Sequence, residues 1–177
     1  STPYEITRNS EIYPMEEIME ACDLVTKENV TTKEIVEKFQ HNNGFVRFWA
    51  VVAVECLEKY DSEIIADLIE LLKDEFVTVQ IEAAKILIKA GNTEFADLII
   101  NYLDGEDKIV QLYAARAFEE TWMLLPNFPE KVYTIYSDLK ESTAGKWYGH
   151  DLYAFWSLSQ VFKDENIKAP AEVNYGK

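Results

Sequence analysis

Val46-Arg47-Phe48-Trp49-Ala50-Val51-Val52-Ala53-Val54 recurs without gaps as Val79-Gln80-Ile81-Glu82-Ala83-Ala84-Lys85-Ile86-Leu87. It recurs again as Val110-Gln111-Leu112-Tyr113-Ala114-Ala115-Arg116-Ala117-Phe118. The offsets between the leading valines are 33 and 31 residues. A second element, Ala66-Asp67-Leu68-Ile69, returns 30 residues later as Ala96-Asp97-Leu98-Ile99. A period of this length holding two helical patterns is the signature of stacked helix pairs, because one pair cannot bury its apolar face alone. The fold class read from the repeat is all-α, an α-α superhelix of about five helix pairs. Small residues at matched positions (Ala50, Ala83, Ala114 and Val51, Ala84, Ala115) let neighbouring helices approach closely.

Outward from the repeat, each flanking segment has its own helix signals. Ser62 is a candidate N-cap for a helix over 63–73, whose Ile64, Ile65, Leu68, Ile69, Leu71 and Leu72 give a wide apolar face. Gly91 stands where a glycine ends the preceding helix, and Asn92 or Thr93 can cap the next. Further helices are expected over 31–40, 129–139 and 150–162. Another opens at Tyr13-Pro14-Met15-Glu16, with proline in its first turn. The 140–149 stretch reads as the one long loop. These elements make a single repeat domain over 1–177: an N-terminal helix in 10–26, repeats over 30–163, and a surface tail over 164–177.

Composition narrows the function classes. The 177 residues include 32 Asp and Glu against 17 Lys and Arg, for a net charge of −15. Autonomous binding to nucleic acid or to an anionic membrane needs a basic footprint, so both are excluded as partners. No stretch approaches the ~18 apolar residues of a membrane span. Only 6 Gly and 5 Pro argue against a turn-rich β-sandwich. Cys22 and Cys56 lie in apolar helical runs and read as buried structural thiols; two cysteines form no disulfide framework and no metal knuckle. The chain begins at Ser1, which reads as a processed end or the start of a piece of something longer.

The repeat segments resemble HEAT-type repeats, whose second helix commonly opens with an Asp-x-x-Val-Arg-like pattern. Asn43-Gly44-Phe45-Val46-Arg47 and Asp107-Lys108-Ile109-Val110-Gln111 approximate it. The middle copy departs, with Phe76 at the acidic position and Gln80 at the basic one, which puts the usual ladder between repeats in question there. More narrowly, the run from Tyr13-Pro14-Met15-Glu16-Glu17-Ile18 to Ala21-Cys22, with Val46-Arg47-Phe48-Trp49-Ala50, resembles the C-terminal helical-repeat extension of some bacterial sulfatases of the arylsulfatase or heparan N-sulfatase type. That likeness covers about residues 10–125. Members of the sulfatase family act through a Cys or Ser in a Cys/Ser-x-Pro-x-Arg motif, oxidised to formylglycine beside calcium. Here Cys22 is followed by Asp23-Leu24 and Cys56 by Leu57-Glu58, so neither fills that role. The resemblance therefore implies a catalytic domain outside these 177 residues, with this chain as its partner. It also implies export to the periplasm or cell surface.

No other catalytic constellation is present. There is no Gly-rich phosphate loop, no metal-spaced histidine pair and no Gly-x-Ser-x-Gly elbow. No cofactor, catalytic residue or metal ligand is expected; His41 and His150 are isolated and read as structural or exposed. Glu63, Asp67, Glu70 and Asp74 share a helix face, mirrored by Glu94, Asp97, Asn101 and Asp104 one repeat later. They read as a solvated outer face.

Positions three, six and ten past each repeat valine fall on one face of the second helices. They are Trp49, Val52 and Cys56; Glu82, Lys85 and Lys89; Tyr113, Arg116 and Glu120. In HEAT-like solenoids this face is concave. Together with Arg47, the residues Trp49, Glu82, Lys85, Lys89, Tyr113 and Arg116 form the candidate partner-binding face, since Trp, Tyr and Arg concentrate in interface hot spots. The other reading, in which an N-terminal helix around Ile18 covers Trp49 and Val52 as core, stands beside it. Trp147, Tyr148, His150 and Tyr153 form a candidate ligand patch, against which stands the need for large side chains to seal the last repeat.

The function expected from these readings is a non-catalytic interaction or scaffold domain, docking on a catalytic domain of the same polypeptide or on another protein. A stand-alone interaction module and a glycan-binding accessory module are the alternatives. A free-standing enzyme is disfavoured, because neither cysteine has a basic setting that would favour a thiolate.

Overall fold

Asn43 and Asp107 stand where the repeat opens, and both close the N-terminus of a helix with a side-chain oxygen. Asn43 accepts from the Phe45 N–H at 3.0 Å. Asp107 accepts from Ile109 and Val110 at 2.9 and 3.2 Å. These bonds satisfy amide groups that a helix start leaves without an internal partner. The middle copy, with Phe76 in the cap position, borrows a carboxylate instead: Asp74 Oδ1 accepts from the Phe76 N–H at 2.8 Å. Asp61 rather than Ser62 caps the next helix, accepting from the Ile64 N–H at 3.1 Å. Thr31 and Glu34 form a reciprocal capping box.

A computed structural model of the chain describes Asn9 and residues 13–163. Among these residues there are nine α-helices and no strand. The helices are α1 (Met15–Asp23), α2 (Thr32–Phe39), α3 (Gly44–Cys56), α4 (Ser62–Leu71), α5 (Val77–Lys89), α6 (Ala96–Leu103), α7 (Lys108–Thr121), α8 (Lys131–Ser142) and α9 (His150–Val161). Short 3-10 turns cover Thr93–Phe95 and Trp122–Leu124. The first of these carries the chain from Gly91 into α6, so neither Asn92 nor Thr93 caps an α-helix directly. Gly91 takes φ +97° just past α5, the left-handed conformation expected of a helix-ending glycine. Pro14 sits at the N-cap of α1 rather than inside its first turn. The last loop is shorter than expected, 143–149, because α8 runs on to Ser142. The expected tail over 164–177 and the start of the expected N-terminal helix at 10–12 lie outside the described residues.

The chain divides into two compact units, Ser1–Ala90 and Gly91–Lys177. In the first, α3 packs against α1, α2 and α5, while α4 packs against α5 and beside α2. First helices thus neighbour first helices, and second helices neighbour second helices. Ala50, Val51, Ala83 and Ala84 are all fully buried, as the matched small positions required. Ile35, Phe39, Ile64, Leu68 and Ile86 fill the space around them.

The second unit repeats the scheme: α6 packs on α7, α7 on α9, α9 on α8, and α8 beside α6. Ala114 and Ala115 are again fully buried. Here aromatic rings complete the core. Phe128 meets Phe118 and Phe162 at 5.9 and 5.7 Å between centroids, and Tyr136 stacks on Phe162 at 4.2 Å.

Candidate functional site

Arg47 was expected on a docking face, and its side chain is instead 9% exposed. Its guanidinium grips Asp74 with two bonds, Nε to Oδ2 at 2.6 Å and Nη2 to Oδ1 at 2.7 Å. Nη1 donates to the carbonyls of His41 and Asn42 at 2.7 and 3.0 Å. The same side chain therefore ties down the loop before its own helix and the loop before the next second helix. Asp74, expected on the solvated acidic face, has a side chain only 4% exposed and lies beyond the end of α4. Gln80 and Gln111, the counterparts of Arg47, do the local half of this work. Gln80 donates to the Asp74 carbonyl, and Gln111 donates to the Leu103 carbonyl at 2.8 Å. Being uncharged, neither can make the ion pair.

Glu82, Lys85 and Lys89, the other charged candidates of the first unit, are also turned inward. Lys85 is buried, 2.9 Å from Glu55 and 2.7 Å from Glu82. Lys89 bonds the other oxygen of Glu55. Burial pushes the Glu55 carboxyl up, but hydrogen bonds from Lys89 and Lys85 outweigh it and hold the group below the usual carboxylate range. Glu55 escaped the sequence reading because its position lies off the face that carries Lys85 and Lys89. Trp49 is half-buried on α3, edge-on to Phe48 at 5.9 Å, and α1 packs against that helix. A cleft of about 310 Å³ beside α1 and α2 holds charges that already pair, Lys38 with Glu20 at 2.7 Å and Lys27 with Glu34.

In the second unit the expected residues stay open to solvent. Tyr113 and Arg116 are exposed on α7, and Tyr153 is 47% exposed on α9. A cleft of about 350 Å³ between these helices brings Arg116 together with Tyr153, two residues that the sequence assigned to different patches. Trp156, 48% exposed, meets Tyr153 edge to face at 5.2 Å and 81° and forms the corner of the cleft. Glu119, Ser157 and Gln160 line its polar side. The large side chains that seal the last repeat are Phe155 and Phe162, which join the aromatic core through Tyr136.

The rest of the aromatic patch is a loop held in shape. Thr143 is buried and donates to the Leu139 carbonyl at 2.6 Å. Lys146 pairs with Asp151, and the Lys146 N–H donates to the Thr143 carbonyl at 3.0 Å. The bond from Lys146 also holds the Asp151 carboxyl below its usual range. Gly149 takes φ +139°, where a side chain would be strained and would meet Asp151 Oδ1 at 2.7 Å. On this braced loop Trp147 and Tyr148 are 92% and 83% exposed. His150, the first residue of α9, is exposed beside them.

The cysteines are not both buried, as the sequence suggested: Cys22 is half-buried and Cys56, the last residue of α3, is exposed. Desolvation and the neighbouring Asp23 push the Cys22 thiol above its ordinary range, away from a thiolate. His41 Nδ1 accepts from the Asn43 N–H at 3.1 Å. Among the described residues, no group of three or more His, Cys, Asp or Glu side chains is placed to hold a metal ion, and no helix is long and apolar enough to cross a membrane. Set against protein-family models, curated proteins and solved structures, the chain has no match in any of the three.

Proposed function

We propose that this chain is a non-catalytic interaction domain of HEAT-like helix pairs, serving a catalytic domain of the sulfatase type on the same polypeptide. The partner's class comes from the resemblance of residues 10–125. The observation that carries the docking role is the loop over 143–149, which is braced at both ends and holds two aromatic side chains almost wholly in solvent. Large apolar surface kept exposed on a fixed backbone is characteristic of a binding face, since its ordering cost is met before the partner arrives. The contrast with Arg47, Lys85 and Lys89 supports the same reading. Those cations hold helices of the first unit together, leaving recognition to the open aromatics.

Amide hydrogen exchange of the full chain, with and without the catalytic domain, tests the proposal. Slower exchange across 143–149 on addition of the partner is the expected result. Binding with unchanged exchange there removes the loop from the docking role, and no binding at all removes the interaction reading itself.

A further inference from the structure

We infer that the cleft between α7 and α9 is a binding site for an uncharged sugar ring, independent of the docking loop. Tyr153 and Trp156 supply its apolar side. Half-exposed and set at 81° to each other, their rings form a corner against which the C–H face of a pyranose can pack.

The polar side decides the ligand's charge. Arg116 and Glu119 lie one helical turn apart on the cleft wall, and among the described residues neither side chain makes an ion pair or a hydrogen bond, even with the other. An anionic ligand would pair with Arg116 and be repelled by Glu119; a cationic ligand would meet the reverse. Vicinal hydroxyl groups satisfy both, because each accepts from a guanidinium and donates to a carboxylate. Ser157 adds a hydroxyl with the same dual capacity, and Gln160, whose amide nitrogen donates to the Trp156 carbonyl and whose oxygen accepts from Lys163, keeps one N–H and one lone pair for a ligand.

Long-range electrostatics agree, since a chain at −15 disfavours the approach of anions. The volume of about 350 Å³ lies at the small end of the range of roughly 300–1,000 Å³ for small-molecule sites, suited to one or two rings. An open cleft of this kind would bind weakly, with Kd on the order of 1 mM.

Calorimetric titration of the full chain with maltose, cellobiose, lactose and N,N′-diacetylchitobiose tests the assignment, with a sulfated heparin disaccharide as the anionic arm. The expected result is binding of at least one neutral disaccharide and none of the sulfated one. Trp156→Ala should weaken that binding at least about tenfold, and Glu119→Gln should weaken it severalfold. The Trp147→Ala/Tyr148→Ala variant should leave it unchanged. If Trp156→Ala fails to fold, Arg116→Gln, at an exposed position outside the core, takes its place with the same expected loss. No binding of any neutral probe at about 10 mM, tighter binding of the sulfated one, or full binding by the cleft variants overturns the inference.

Discussion

Arg47 does several jobs at once, and its loss should be felt at each. Removing the guanidinium leaves Asp74 buried without its counter-ion and leaves the His41 and Asn42 carbonyls without their donor. Breaking a buried pair from one side costs about 3–5 kcal/mol. Arg47→Ala should therefore lower unfolding stability by that order in a urea titration. Replacing the pair with two apolar residues, Arg47→Met with Asp74→Leu, should recover only part of the loss, because the two carbonyls stay unpaired and the Phe76 N–H loses the Asp74 oxygen that caps it. A variant as stable as the parent would show that the pair is not holding the fold.

Gly44 makes a second residue-scale case. A Cβ there would lie 2.4 to 2.6 Å from three ring atoms of Phe76, so Gly44→Ala should destabilise by about 1–3 kcal/mol through overpacking. Adding Phe76→Ala should relieve the clash and give a favourable coupling in a double-mutant cycle. The repeat pattern pointed to Arg47 as a distinctive position but not to its direction. An arginine on a helix reads equally as a solvent-facing hot spot and as an internal tie, and only the position of Asp74, past the end of α4, separates the two. Lys85 and Lys89 were misread as open cations for the same reason: their common anchor, Glu55, is two helices away in sequence.

At the scale of the helix, burial of the matched small residues was the most legible feature, whereas the N-caps fell elsewhere than expected, on Asp61 rather than Ser62 and on a 3-10 turn before α6. The Thr31–Glu34 box is intact, and bonds from Lys27 and from the backbone and hydroxyl of Thr31 draw the Glu34 carboxyl down to about 2. Bonds from the Thr32 hydroxyl and the Ile64 N–H lower Asp61 in the same sense. A carboxyl whose folded pKa lies below its unfolded value, about 4.3 for Glu, stabilises the fold fully above that value and loses the contribution as pH falls toward the folded one. Thermal midpoints should therefore hold near neutrality and drop as pH falls from about 4.5 toward 2. In Glu34→Gln the drop should be shallower, and an identical acid profile in the variant would remove the box from the explanation. The matched alanines make a separate claim on packing: Ala83 is fully buried on α5, and Ala83→Leu should cost about 1–3 kcal/mol in a thermal melt. What the helix patterns could not supply was the division of labour on α9. Leu152, Phe155, Trp156 and Phe162 look alike as apolar residues, yet Phe155 and Phe162 join the core while Trp156 stays half in solvent beside Tyr153. That distinction depends on where α7 lies, and one helix's periodicity does not contain it.

For the whole molecule, the acidity set limits that the individual residues refine. The net charge of −15 makes self-repulsion a general destabilising term, and added salt screens it over a Debye length of about 10 Å at 0.1 M. Raising NaCl from about 0.02 to 0.3 M should raise the thermal midpoint, since the main ion pairs of the first unit are partly or fully buried and are screened less. A midpoint that falls with salt would mean those pairs are effectively solvent-exposed. With Arg47, Lys85 and Lys89 engaged inside the first unit, the proposed recognition falls to exposed aromatic side chains. The most direct test of that claim is the affinity of the full chain for the sulfatase-type catalytic domain proposed as its partner, measured by surface plasmon resonance, comparing the parent with Trp147→Ala/Tyr148→Ala. A loss of about thirtyfold or more, as for a hot-spot pair, with an unchanged thermal melt is expected; equal affinity in parent and variant would contradict the account.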